Sequence, residues 1–219
     1  MLATFANRKL AVTIIKKSPE CNYNSIRIEA SVLMMPHLNP FLCQGYSTFE
    51  TQRHIFMVMD YLNGGSLARH LEFYRSLEPE TVLFHSAEIV CGLEFLHSCG
   101  IVHRNTLCFL CYGDLKPDNI LLDQDGHVKI SGFGLAVPNM FGNKTIGGRA
   151  GTMGYMAPEV LQRKRYNAAV YWWALLEKNS DQRLGDENTK HHPFFSYINW
   201  VELENKNLPS HFQLRAVST

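Results

Sequence analysis

Cys108-Phe109-Leu110-Cys111 has the two-residue gap of zinc and redox sites, and Asp123-Gln124-Asp125-Gly126 has the alternating acids and glycine of part of a calcium loop. Both sets are incomplete. No second cysteine pair or suitable histidine pair follows the first at metal spacing, and Leu121 stands where a calcium loop would place its first acidic ligand. The first therefore reads as an apolar insert and the second as a hairpin turn. His191-His192 reads as a helix-end or packing pair rather than a ligand set. Asp114-Leu115-Lys116-Pro117-Asp118-Asn119 is different, because it gathers two carboxylates, an ammonium and a carboxamide into six positions. A bare surface loop has no reason to hold that set.

The elements that must position these groups follow from periodicity. Leu10 to Lys17 is rich in β-branched residues and reads as a strand; His54 to Tyr61 reads as a second, largely buried one. Asn63-Gly64-Gly65 then breaks the chain. From Glu80 to Ser98, apolar residues recur at helical spacing (Val82, Leu83, Ile89, Val90, Leu93, Leu96), with Gly100 as the stop. Asn119 to Asp123 and His127 to Ile130 flank Gln124-Asp125-Gly126, a hairpin signal with glycine where positive φ is wanted. Strands early and helices later imply an α+β chain with two lobes.

Composition narrows the class of partners. The 219 residues are 46% apolar, enough for a packed core, and carry a formal net charge of +1, which supplies no field to draw nucleic acid or an anionic membrane. The apolar stretch Leu10 to Ile15 is too short for the core of a signal peptide, and no run approaches a membrane span. Six scattered cysteines then fit a reduced, intracellular and cytoplasmic setting with free thiols.

Asp114 to Asn119 followed by a hairpin, then Gly132-Phe133-Gly134, then Ala157-Pro158-Glu159, resembles the signature set of eukaryotic-type serine/threonine protein kinases in its expected order. Asn39-Pro40-Phe41-Leu42, Gly64-Gly65-Ser66-Leu67, Gly151-Thr152, Trp172-Trp173, Arg183-Leu184-Gly185 and His192-Pro193-Phe194-Phe195 extend the likeness over nearly the whole chain, toward the group containing protein kinases A and C. The resemblance implies a two-lobed fold, with residues 1–62 as a truncated N-lobe and residues 63–219 as a shortened helical C-lobe. It also implies ATP and magnesium as cofactors. By that match Asp114 would accept the substrate hydroxyl's proton, Lys116 would steady the phosphate, Asn119 would hold magnesium, and Thr152 would belong to the substrate-binding loop. Asp60 to Leu62 would offer backbone groups to adenine, with Met59 guarding the pocket behind them. Glu29 would be the helix glutamate that pairs with a strand lysine, and Glu159 would pair with Arg183.

Departures from the family pattern fall on the chemistry itself. Thr13 occupies the position of the ATP-binding lysine, and Lys17, four residues on, is roughly 13 Å away along the strand. The chain starts only a few residues before that strand, so the glycine-rich phosphate loop is expected to be missing. Gly132 replaces the aspartate of the magnesium-binding triplet, and glycine has no side chain with which to ligate a metal. Residues 105–113 separate His103-Arg104 from Asp114, which the family keeps contiguous. A longer loop costs only about 0.6 kcal/mol per doubling, whereas a misplacement of about 1 Å can cost catalysis roughly 100-fold. After Trp173 the sequence jumps to a segment that the family places several helices later. Omitting about five buried aliphatic side chains would forfeit roughly 7 to 15 kcal/mol, comparable with a whole domain's net stability of about 5 to 15 kcal/mol.

These features together imply an inherited transfer of phosphate from ATP to protein serine or threonine, impaired in this chain. The rival readings are a pseudokinase acting as a binding module and a degenerate, mis-spliced product. No motif identifies the protein substrate or partner, since Ser66 stands where an acidic residue is expected after Gly64-Gly65. Counting back four from Thr152 to the usual activation-loop acceptor gives Gly148, and Thr145 is the nearest hydroxyl, with Arg104 as its expected phosphate partner.

Overall fold

Leu2–Phe5 (β1) and Arg8–Lys16 (β2) form a tight hairpin through Ala6 and Asn7, whose φ angles of 46° and 63° suit the right-handed twist of paired strands. Gly45–Glu50 (β3) and His54–Asp60 (β4) complete an antiparallel sheet of order β1-β2-β4-β3. Within it Thr13 lies opposite Met57 and Ala11 opposite Met59, so these four share one face of the sheet. The computed structural model describes residues 1–35, 39–103, 117–142, 144–147, 157–166, 186–210 and 212. The 105–113 insert, Arg104, Asp114, Lys116, Thr152, the junction after Trp173 and Arg183 lie outside the described residues.

Helix α1, Tyr23–Leu33, is capped by Asn22, whose side chain accepts the Ser25 amide at 3.1 Å, and it buries Val32 and Leu33. The next segment runs down into the second lobe. Asn39 donates its amide to the Cys91 carbonyl and accepts from Phe41 N, both at 2.9 Å, while Phe41 O and Cys43 N bond Ile130. Leu67–Tyr74 (α2) starts at Ser66, and Pro79–Ser98 (α3) starts with proline in its first turn, where the missing amide costs nothing. The end of α3 is a Schellman closure. Gly100, at φ 68°, donates to His97 O, and Ile101 N reaches back to Leu96 O at 2.8 Å.

From Phe84 to Leu93 every residue of α3 is buried, which makes it the central core helix rather than an amphipathic surface one. Ile120–Leu122 (β5) and Val128–Ile130 (β6) pair across the Asp123–His127 turn and pack Ile130 against α3. Short helices Pro158–Leu161 (α4), Asp186–Thr189 (α5) and Trp200–Glu204 (α6) follow. The mixed α+β architecture, with an antiparallel sheet in the N-lobe, agrees with the sequence reading, but β1, β3 and α2 were not foreseen and β2 begins at Arg8 rather than Leu10. Lys17 lies just past β2. Among the described residues no helix is long and apolar enough to cross a membrane, and Cys21, Cys43, Cys91 and Cys99 are free thiols.

Buried histidines make this core sensitive to acid. His85 and His103 are fully enclosed, and burial holds both imidazoles down to about 4 from an ordinary value near 6.5. Their unfolded counterparts take up protons near pH 6.5, so between pH 6.5 and 4 the unfolded chain binds more protons. Stability should therefore fall as pH falls through that window, by up to about 3 kcal/mol for each histidine. Glu29 and Glu88, pushed up by burial, act in the opposite sense. His85→Gln isolates one contribution, because its amide can still donate to Gly126 O, which His85 Nε2 meets at 3.1 Å. Urea titrations at several pH values should show its slope reduced by about 1.4 kcal/mol per pH unit near pH 5.5; an unchanged slope would contradict this assignment.

Candidate active site

Asn119 closes the 3-10 turn Pro117–Asn119 immediately before β5. Its carbonyl accepts both the amide (2.9 Å) and the hydroxyl (3.0 Å) of Ser131, which locks this turn to the residue preceding Gly132. Gly132 adopts φ 74° and ψ 51°, a left-handed conformation available to glycine at no steric cost. The space above it is taken. A Cβ built on Gly132 would stand 2.5 Å from Asn119 Cγ, 2.6 Å from Oδ1 and 2.7 Å from Nδ2. The carboxamide expected to hold magnesium thus fills the volume that a side chain at position 132 would need.

Phe133 to Leu135 form a second 3-10 turn, with Phe133 fully buried and its ring edge-on to His103 at 5.0 Å. His103 Nε2 donates to Ser131 O at 3.1 Å. Helix α1 packs on this turn, and Glu29 Oε2 would lie 3.3 Å from a Cβ placed on Gly134. Among the described residues no cation pairs with Glu29. Burial pushes its carboxyl above the ordinary carboxylate range. Thr13 is exposed on the face that carries Met59, while Lys17 Nζ is tied to Glu50 at 2.8 Å. Neither provides the ammonium expected beside Glu29.

Met59 is partly buried against the core, and Leu62 and Asp60 follow it at the junction of the lobes. The Asp60 carboxylate is engaged by its surroundings: Oδ1 accepts from Arg8 at 3.0 Å and from the Tyr46 hydroxyl at 2.5 Å, and Oδ2 accepts from Gln44 N at 3.1 Å. Lys129 Nζ adds a 4.0 Å ion pair and burial holds its pKa down. The side chain at position 60 therefore braces the junction. Gly64 N to Leu122 O (3.0 Å) and Leu122 N to Gly65 O (2.8 Å) fasten the following segment onto β5.

The structure thus brings Glu29, Gly134, Gly132 and Asn119 together in sequence around one turn, and sets Thr13 and Met59 on one sheet face. Missed by sequence reasoning were Ser131 as the clamp on Asn119, the His103–Phe133 ring contact and the donors on Asp60. Thr145, the expected alternative acceptor, is held by Arg165, whose Nε donates to its hydroxyl at 2.9 Å. Glu159 is buried, and its expected partner Arg183 lies outside the described residues.

The Asn119 contact predicts a measurable coupling. Gly132→Ala should destabilise by about 1 to 2 kcal/mol from the left-handed backbone alone, with a further cost from displacing the carboxamide. In the Asn119→Ala background that further cost should vanish, giving a coupling of about 0.5 kcal/mol or more in a double-mutant cycle. Strict additivity in urea unfolding would show that the two residues do not compete for space.

Comparison with known proteins places this geometry. A family model described as a protein kinase domain matches residues 3–176. Human protein kinase C delta type is 34% identical, over 96% of this chain and 36% of its own length. A putative protein kinase C delta type homolog of Drosophila melanogaster is 40% identical over 75% of the chain and 24% of its own length. Serine/threonine-protein kinase Sgk1 of Xenopus tropicalis is 32% identical over 91% of the chain and 57% of its own length. The chain spans a minor part of the protein kinase C relatives and little more than half of Sgk1.

Proposed function

We propose, since this chain belongs to the protein kinase family, that it is a serine/threonine kinase-like domain in which transfer of phosphate from ATP is impaired. The observation that carries this reading is the Asn119 carboxamide lying in the space above Gly132. In the family a carboxylate and a carboxamide share the magnesium ions that bridge the phosphates. Here position 132 has no carboxylate, and the Asn119 carboxamide stands within 2.7 Å of where a Cβ at 132 would lie. A glycine at 132 and a carboxamide filling the space above it do not fit the family's metal.

Asp114, Lys116 and Thr152 keep the residue types of a base, a phosphate contact and a substrate-loop hydroxyl. Met59 and the backbone of Asp60 to Leu62 keep the position of the adenine-facing junction. Glu29, which pairs with no cation among the described residues, and the threonine at position 13 support loss of the phosphate cation. The human alignment spans 259 positions but takes in 96% of this 219-residue chain, about 210 residues, so about 49 positions of that relative face gaps here, as a shortened domain requires.

Phosphate transfer to a generic basic peptide tests the reading directly, with Asp114→Asn as the reference. Turnover well above that variant overturns it. The second reading, a binding module, is favoured by the largely intact buried core around α3. A cooperative thermal transition in the absence of transfer is its expected signature, and a broad non-cooperative one would instead indicate a degenerate product.

A further inference from the structure

Residues 133–166 hold five cations, Lys144, Arg149, Arg163, Lys164 and Arg165, and one acid, Glu159, a net of +4 (five minus one) in a chain whose total is +1. Glu159 is buried, so it offers the surface no carboxylate. Lys144 and the consecutive Arg163, Lys164 and Arg165 are exposed, while Arg149 lies outside the described residues. Among the described residues none of those four meets a carboxylate: Lys144 Nζ donates to Asn139 O at 3.0 Å, and Arg165 is turned onto Thr145. Like charges crowded on one face repel, and an anionic partner removes that cost.

Arg165 is fixed in place. Its Nε donates to Thr145 Oγ1 at 2.9 Å and its Nη2 to Thr145 O at 2.6 Å, so one edge of the guanidinium is spent on the protein. A guanidinium has five N–H donors, and the three that remain are all on the two Nη groups. The edge they form matches the two oxygens of a carboxylate. The backbone beside it is extended: Ile146 and Tyr166 exchange both main-chain hydrogen bonds at 2.8 Å. Gly147 follows, exposed, and a Cβ placed on it would meet nothing within 4 Å, so another chain has room to lie along this strip. Single-stranded nucleic acid would want aromatic faces to stack on, whereas Tyr166, the one aromatic residue of segment 157–166, is buried. An anionic bilayer would answer to the number of cations and make no use of an oriented fork.

We propose that the face beside α4 is a docking surface for an acidic peptide segment of a partner protein, with the free edge of Arg165 gripping a carboxylate and Arg163, Lys164 and Lys144 supplying the field around it. Phosphate transfer plays no part in this docking.

Fluorescence anisotropy of a short labelled glutamate-rich peptide, titrated with the full chain without nucleotide, tests it. Binding should be saturable and weaken about threefold or more between about 50 and 200 mM salt, and a lysine-rich peptide of equal length should not bind. Arg165→Ala should weaken the acidic peptide about tenfold, and Arg165→Lys about fivefold, because lysine keeps the charge and loses the fork. The double variant Arg163→Ala, Lys164→Ala should cost about fivefold, whereas Lys9→Ala, Lys16→Ala, which removes the same charge from exposed positions on the sheet, should cost less than about twofold. Should Arg165→Ala fail to melt cooperatively, Arg165→Lys and the double variant at 163 and 164 carry the decision. An Arg165→Lys variant that binds like the parent, or an equal loss in the Lys9, Lys16 control, reduces the effect to diffuse attraction and overturns the proposal. Tighter binding to phosphatidylserine vesicles or to a single-stranded oligonucleotide than to the peptide assigns the face to another partner and overturns it as well, as does absence of saturable peptide binding. Because no nucleotide is present, failure here stays separable from failure of the impaired-kinase reading.

Discussion

Incubated with ATP, magnesium and a basic peptide, the unmodified chain should turn over no faster than about 10⁻² s⁻¹, against roughly 1 to 100 s⁻¹ for working protein kinases. The estimate comes from two missing groups. Removing one preorganised charge-stabilising group from such a site costs about 10² to 10³ in rate, and two that act independently cost about 10⁴ to 10⁶. On the proposed reading, Thr13 stands in place of the strand cation and Gly132 in place of the metal carboxylate. If residues 105–113 displace Asp114, as the proposed reading expects, the loss would be larger still.

Restoration should be graded. Gly132→Asp alone should give no recovery, because its Cβ would arrive 2.5 Å from Asn119 Cγ and the carboxamide must rotate away before the two side chains could share a cation. Thr13→Lys alone restores a partner for Glu29 but no metal. The double variant should gain activity only when residues 105–113 are also removed. Robust turnover by the unmodified chain, lost in Asp114→Asn, would refute the whole scheme. Recovery in the double variant with the insert retained would refute the role given to the insert.

Legibility of this molecule in its sequence divides by the range of the contacts. Helix α3 and the β5–β6 hairpin were readable because their signals are local: apolar spacing, a terminal glycine, and Gly126 at φ 82°. Gly132 was readable as a loss because a motif of three residues exposes the substitution. What the motif could not show is how the gap is filled, since Asn119 reaches it only through the Ser131 clamp across the hairpin. The C-terminal strap was equally hidden. Lys206 pairs with Asp123 at 2.6 Å, Ser210 donates to Gly126 O at 2.9 Å, and the Phe212 ring meets His70 and His85 at 4.9 and 5.4 Å. Those partners are more than 80 residues apart for the two polar bonds, and nothing in either segment's periodicity announces the other.

Glu88→Ala should be among the most damaging single substitutions in the described core, at about 3 to 5 kcal/mol. Glu88 sits on α3 with no exposed surface, accepting from His127 Nδ1 at 2.6 Å and from Val128 N at 3.0 Å. Burial pushes its carboxyl up, while the two donors pull in the other direction and hold the group in place. Truncation strands both donors, each at a cost of about 1 to 3 kcal/mol, and opens a void between α3 and the hairpin that carries Asn119 at its start. For a chain of this length the loss corresponds to a fall in Tm of roughly 6 to 20 °C. Glu88→Gln should be milder, by about 2 kcal/mol or more, because its oxygen can still accept from Val128 N while its amide donates to a His127 that has moved its proton off Nδ1. Thermal unfolding of both variants decides the matter. A Glu88→Ala melting temperature within about 1 °C of the parent, or a Glu88→Gln variant no better than Glu88→Ala, would mean that this buried carboxylate does not anchor the hairpin to the core.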